Sequence, residues 1–160
     1  ALDNLDSDIS AHKDEKAELM RLLDRQKSIL ASTPSVWPTR GWVSSGFGYR
    51  VSPFTTEKEL HRGLDICSRK GTPVIAPADG VVAYVEWDPG YGKTVIINHG
   101  YGLNTMYAHL DKAHVKKGQV VKRHQEIAQV GDTGRTTGAH LHYEVHLNGV
   151  PVNPLRYILN

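Results

Sequence analysis

One cysteine is too few for an intramolecular disulfide, so Cys67 stands alone and the fold must hold through its core. Long apolar runs are missing as well, and no stretch approaches the roughly 18 residues that a bilayer-spanning helix needs. Charge of one sign is equally scarce: 19 basic against 17 acidic side chains leave a net charge of +2. So even a balance gives no electrostatic footprint for nucleic acid, and no nucleic-acid partner is expected. The chain opens on Ala1 instead of Met, so a signal or anchor, and with it any membrane contact, is expected only in a segment outside it. What is present is an ordinary globular composition, 39% hydrophobic and 22% charged, over 160 residues, a length that suits one domain with an appendage.

The charge is unevenly divided. Residues 1–33 hold seven acids and five bases, which leaves 14 bases against 10 acids for a mildly basic remainder, suited at most to an anionic matrix. Between positions 2 and 30, Leu2, Leu5, Ile9, His12, Lys16, Leu19, Leu23, Gln26 and Leu30 follow alternating steps of three and four, the spacing of one helix face. Its middle is polar at His12 and Lys16, which fits a frayed coiled-coil seam or one arm of a helical hairpin. A lone helix of this kind is marginal in water, so it is expected to dock on the body, pair with another chain or continue a longer stalk. Thr33-Pro34 and Trp37-Pro38 end it, because the residue before proline is pushed out of the helical region. The expected division is an N-terminal helix over 1–33, a proline-containing linker over 34–41 and a domain over 42–160.

After Trp42 the pattern changes to short runs rich in Val, Ile, Thr and Tyr, separated by glycine-bearing turns. Strands are predicted over 81–87, 94–98, 103–109, 126–130 and 140–147. The turns include Asp88-Pro89-Gly90-Tyr91-Gly92 and His99-Gly100-Tyr101-Gly102. The body reads as all-β.

Nine histidines stand out, and their spacing is informative. His61 and Asp65 are four apart in His61-Arg62-Gly63-Leu64-Asp65, a gap that places both on one face, with Gly63 arguing against a helix. The run His140-Leu141-His142-Tyr143-Glu144-Val145-His146-Leu147 alternates strictly, so His140, His142, Glu144 and His146 share one strand face. His146 and Glu144 read as the polar outer face of a half-exposed strand; His140 and His142 fit that reading less well. His109 closes a predicted strand in Tyr107-Ala108-His109-Leu110. Together these are the parts of one open zinc site: two imidazoles, a carboxylate and a free position for water. Cys67 reads as a small core residue, because a fourth protein ligand would close that position. His99, His114 and His124 read as turn or surface residues. Tyr91, Tyr101 and Tyr107 read as packing residues or as walls of a groove.

These motifs, with Ser45-Gly46-Phe47-Gly48-Tyr49-Arg50 ahead of them and Gly131-Asp132-Thr133-Gly134 before the histidine doublet, resemble the lysostaphin-type or LytM-like zinc metallopeptidases of bacterial cell walls. The resemblance covers residues 42–153. It implies a compact antiparallel β-sheet with a substrate groove, preceded here by the amphipathic helix. It also implies one Zn2+ per chain held by His61, Asp65 and His142, with His109 and His140 as catalytic histidines that do not bind the metal. No H-E-x-x-H motif is present, so those two histidines would handle the proton. The implied activity is endopeptidase cleavage of peptidoglycan stem peptides or cross-links outside the cytoplasm, with cell-wall or division proteins as partners of the helix. The alternative is a non-hydrolytic module of the same family that activates cell-wall amidases. A third reading, a lipoyl- or biotinyl-carrier domain, lacks a lysine in an attachment motif and leaves the histidines unexplained.

Overall fold

The computed structural model describes all 160 residues, in two compact units, Ala1–Ala31 and Ser32–Asn160. The first is a helix, α1 (Leu2–Ser32), which starts with Asp3 at the positive end of the helix dipole and stops one residue before the Thr33-Pro34 pair. It buries no side chain and carries an Arg21–Glu18 ion pair at 2.7 Å. No helix is long and apolar enough to cross a membrane.

The second unit is built from strands β1 (Trp42–Ser45), β2 (Gly48–Val51), β3 (Lys58–His61), β4 (Leu64–Cys67), β5 (Pro73–Ile75) and β6 (Gly80–Asp88). They are followed by β7 (Gly92–Gly100), β8 (Leu103–Ala113), β9 (Val120–Val121), β10 (Glu126–Val130), β11 (His140–Leu147) and β12 (Val150–Val152), then a 3-10 turn at Pro154–Arg156. Ten strands form one antiparallel sheet whose main path is β1-β4-β11-β8-β7-β6-β9, with β10 bridging β5 and β8 and with β12 beside β11. Strands β2 and β3 form a separate hairpin. The all-β body and the helix before it agree with the expected fold class.

Local chemistry explains the reversals. Asp88 Oδ1 accepts from the N–H groups of Gly90 and Tyr91 at 2.8 and 2.9 Å, a side-chain-capped turn between β6 and β7. Tyr101-Gly102, between β7 and β8, has φ of 53° and 78°, and Asn148-Gly149, between β11 and β12, has 51° and 81°. Two consecutive positive φ values match the right-handed twist of the flanking strands, which is why such pairs close hairpins. Leu141, Tyr143 and Val145 on one face of β11 join Leu64, Ile97, Tyr107 and Ile127 in the core, and Tyr107 stacks on Tyr143 with centroids 5.6 Å apart. The alternation in β11 therefore supplies the core with one face and leaves the other for chemistry.

Candidate functional site

The site is assembled from three neighbouring strands and a hairpin end. In the β4–β11 ladder His142 lies opposite Asp65 and His140 opposite Cys67, while on its other side His142 lies opposite Ala108 of β8. His61 ends β3, opposite Gly48. Close approach of the 61–65 segment to β11 depends on Gly63: a Cβ there would stand 2.1 Å from the Tyr143 carbonyl oxygen and 2.9 Å from Glu144 Cγ. Any side chain at 63 would push His61 and Asp65 away from His142.

The ring atoms are oriented by their outer partners. His61 Nδ1–H donates to the Gly46 carbonyl at 2.7 Å, which leaves Nε2 facing Asp65 Oδ1 at 3.1 Å and His142 Nδ1 at 3.3 Å. His142 Nε2–H donates to Glu144 Oε1 at 2.8 Å, and its Nδ1 lies 2.8 Å from Asp65 Oδ1. The second oxygen of Asp65 is held by Arg50 at 3.3 Å. One nitrogen from each imidazole and one carboxylate oxygen thus converge, all within 4.8 Å of one another. With their outer protons placed on Gly46 and Glu144, all three inner atoms offer lone pairs and repel unless a cation lies between them.

The electrostatics point the same way. Burial pushes the Asp65 carboxyl up, but hydrogen bonds and charge from His142 and His61 outweigh it and hold the group well below the usual carboxylate range. Burial pulls His142 down, and the Asp65 and Glu144 carboxylates overcome it to raise the imidazole to about 9. A centre that draws positive charge so strongly, with two imidazoles and one carboxylate, fits the donor chemistry of zinc with a position left open.

Two further histidines face this centre. His109 Nδ1–H donates to the Thr133 carbonyl at 2.7 Å, and His140 Nδ1–H to the Gly138 carbonyl at 2.8 Å, so on both rings Nε2 is the free nitrogen. His140 Nε2 stands 3.6 Å from Asp65 Oδ1, and the His109 and His140 rings are 4.8 Å apart between centroids. His109 adopts φ 59°, a left-handed backbone within a strand. Between the pairs Val95↔Tyr107 and Lys93↔Leu110, β8 carries one residue more than β7, and this bulge re-aims His109. Burial lowers its imidazole to about 4 against the pull of the Thr133 carbonyl, aided by the neighbouring His140 and His142. All five residues line one cleft of about 490 Å³, with Tyr91, Phe54, Arg62 and Arg135 on its walls. The Arg135 guanidinium lies 4.2 Å from the Phe54 ring centroid, joining two of the loops that form the rim.

Several expectations are corrected. Glu144 is not an outer-face residue: it is 1% exposed and bonded to His142, His146 and Tyr91, because Tyr91 and the Gly63 segment cover that face of β11. His99 is buried, with Nδ1–H donating to the Asp79 carbonyl and Nε2 accepting from the Thr105 hydroxyl, both at 2.7 Å; a register shift between Asn98 and Gly100 turns it inward. Tyr107 is wholly in the core and Tyr101 sits exposed on a hairpin turn, so of the three tyrosines only Tyr91 walls the cleft. Cys67 is half-buried at the end of β4 and outside the cluster. His114 and His124 are exposed, as expected. Sequence reasoning gave no site role to Arg50 or Glu144, and offered Tyr91 as a groove wall but not as a partner of Glu144. The alternation of β11 already placed Glu144 on the face of His142, whereas nothing local to Tyr91 signals that its turn arrives over that ring.

Known proteins resemble this chain over much of its second unit. The model of Peptidase family M23 matches residues 59–154. Peptidoglycan DD-endopeptidase ShyA of Vibrio cholerae is 45% identical over 115 residues, 71% of this chain and 27% of its own length. Murein hydrolase activator NlpD of Escherichia coli is 41% identical over 123 residues, 76% of this chain and 30% of its own. A crystal structure of a zinc-containing peptidase from Vibrio cholerae superposes with a TM-score of 0.74 at 39% identity, covering 80% of this chain and 41% of that one. The chain spans 24% to 30% of the length of the curated relatives it matches.

Proposed function

The chain belongs to peptidase family M23, and from that premise we propose that it is a zinc-dependent endopeptidase hydrolysing peptide bonds in the stem peptides or cross-links of peptidoglycan. The observation that carries the reading is the convergence of His61 Nε2, Asp65 Oδ1 and His142 Nδ1 beside two histidines that point their free nitrogens into the same cleft. Zinc held by those three atoms would supply Lewis acidity, lowering the pKa of water to about 7 and polarising the scissile carbonyl. His109, neutral well below pH 7, takes the proton of the attacking water at Nε2 and returns it to the leaving amine. His140, whose Nδ1–H is fixed on the Gly138 carbonyl, accepts a hydrogen bond from that water at its free Nε2 and so orients it for attack. Arg50 holds the remaining oxygen of Asp65 and keeps the carboxylate aimed inward.

Within this reading, residues 42–160 are the peptidase domain, 34–41 the linker and 1–33 a helical appendage that meets cell-wall or division proteins. The action is extracytoplasmic, because that is where the substrate lies; the names of the relatives support that substrate class. A second reading, a module that activates wall amidases without cutting, is favoured by the 41% identity to a murein hydrolase activator. The intact ligand cluster favours catalysis.

The deciding experiment is mass spectrometry of fragments released from purified peptidoglycan by the zinc-loaded protein, with a chelated sample as control. New peptide termini that vanish on chelation are expected, and they identify the bond cut. One zinc per chain, no release from walls of differing cross-link chemistry, and stimulation of a wall amidase would replace this reading with the second.

A further inference from the structure

Glu144 is the only carboxylate among the buried residues, and burying a charged carboxylate costs several kcal/mol unless each oxygen is compensated. Here both are. Oε1 accepts from His142 Nε2–H at 2.8 Å and from the Tyr91 hydroxyl at 3.1 Å, while Oε2 accepts from His146 Nε2–H at 2.5 Å. Tyr91 in turn lies over the His142 ring, with centroids 5.4 Å apart and planes 24° from parallel. The imidazole of His142 is therefore gripped on one edge by a carboxylate and on one face by a phenol ring. Neither grip takes part in the proton transfers described above.

A neutral imidazole has two tautomers and can flip about its ring bond, so an ungripped His142 would spend time with the wrong nitrogen, or a protonated one, directed at Asp65 and His61. We propose that Glu144 is a positioning residue for the metal centre: its carboxylate holds the His142 proton on Nε2, keeps Nδ1 aimed at the cluster, and thereby sets the affinity of the site for a divalent cation. The inference rests on the reading of His61, Asp65 and His142 as metal ligands. Carboxylates that orient a ligating histidine in this way typically account for about 10–100-fold in metal affinity. His146 is the outer partner, half-buried, and serves mainly to compensate Oε2.

The test uses the full chain and zinc. Zinc affinity is measured by chelator competition for the wild type, Glu144→Gln, Glu144→Ala, His146→Ala and His142→Ala, with circular dichroism and the melting temperature of the metal-free forms as fold controls. Glutamine keeps the volume, but its amide can offer an acceptor to only one of the two facing N–H donors. Glu144→Gln should weaken zinc binding about 10-fold and Glu144→Ala up to about 100-fold, with His146→Ala close to wild type. Nitrogen-15 spectra of the zinc-loaded wild type should show the His142 proton on Nε2, protected from exchange. That readout needs no variant to fold, and a proton found on Nδ1 with Nε2 bound to the metal overturns the proposal. Unchanged affinity in both Glu144 variants, alongside loss of zinc in His142→Ala, overturns it while leaving the ligand assignment standing. Wild type and His142→Ala that bind zinc equally, or not at all, would overturn the ligand assignment itself and the proposal with it.

Discussion

His109 sits at φ 59°, a conformation that costs an L-residue with a Cβ about 1–2 kcal/mol, and the strand tolerates it because its N–H bonds to the Tyr91 carbonyl at 2.7 Å and its ring to Thr133. His109 stands outside the convergent cluster of His61, Asp65 and His142, which separates its role from theirs. His109→Ala should retain one zinc per chain and lose about 10²–10⁴-fold in kcat, whereas His142→Ala should lose both zinc and turnover. Zinc content and the rate of fragment release measure the two; full turnover in His109→Ala would remove the proton-transfer role. His109→Asn, which tolerates the left-handed region, separates lost chemistry from backbone destabilisation. At this scale the sequence was legible wherever spacing alone sufficed. The four-residue gap of His61 and Asp65 and the two-residue gap of His140 and His142 marked them as candidates that the family resemblance then joined into one set, while the burial of Glu144 depends on what packs above it and left no mark in the alternation.

Among the elements, β7 and β8 decide more than their length implies. Their hairpin carries His99 into a buried chain of hydrogen bonds that runs through the Thr105 hydroxyl to the Tyr107 hydroxyl at 2.6 Å. Burial holds the His99 imidazole below its ordinary value, outweighing the Asp79 carbonyl, so the ring is neutral when folded. A group with a depressed folded pKa contributes stability that is present above its unfolded value, about 6.5 for histidine, and lost as pH falls below it, because the unfolded chain gains the proton first. The melting temperature of the metal-free protein should therefore drop between pH 7 and pH 5, and His99→Gln should flatten that dependence even though it lowers stability at pH 7. An equally steep fall in both proteins would assign the acid sensitivity to other groups. The long strands β6, β7, β8, β10 and β11 were legible from β-branched runs and turn residues. Short strands such as β3 and β12 were not, because three or four residues carry too little periodicity; for β12 the Asn148-Gly149 pair was the available signal.

For the molecule as a whole, the buried hydrophobic residues all belong to Ser32–Asn160, and α1 buries none. A chain of residues 32–160 should therefore fold by itself and lose its β signal in one cooperative transition. A broad, non-cooperative melt of that chain would show that the buried residues of Ser32–Asn160 do not suffice for folding.

The sequence by itself determined the class of fold and the position of the helix and its end at the prolines, since these follow from periodicity and turn chemistry within short segments; the five cleft residues it offered only as candidates, whose set and roles were implied by the family resemblance. Tertiary structure alone decided that Arg50, Tyr91 and Glu144 belong to the same site, that His99 lies inside, and which nitrogen of each imidazole faces the centre. Those outcomes depend on register between strands far apart in the chain: His142 meets Asp65 across 77 positions, and Tyr91 meets Glu144 across 53. No local pattern encodes a hydrogen bond whose partner is supplied only when the sheet closes.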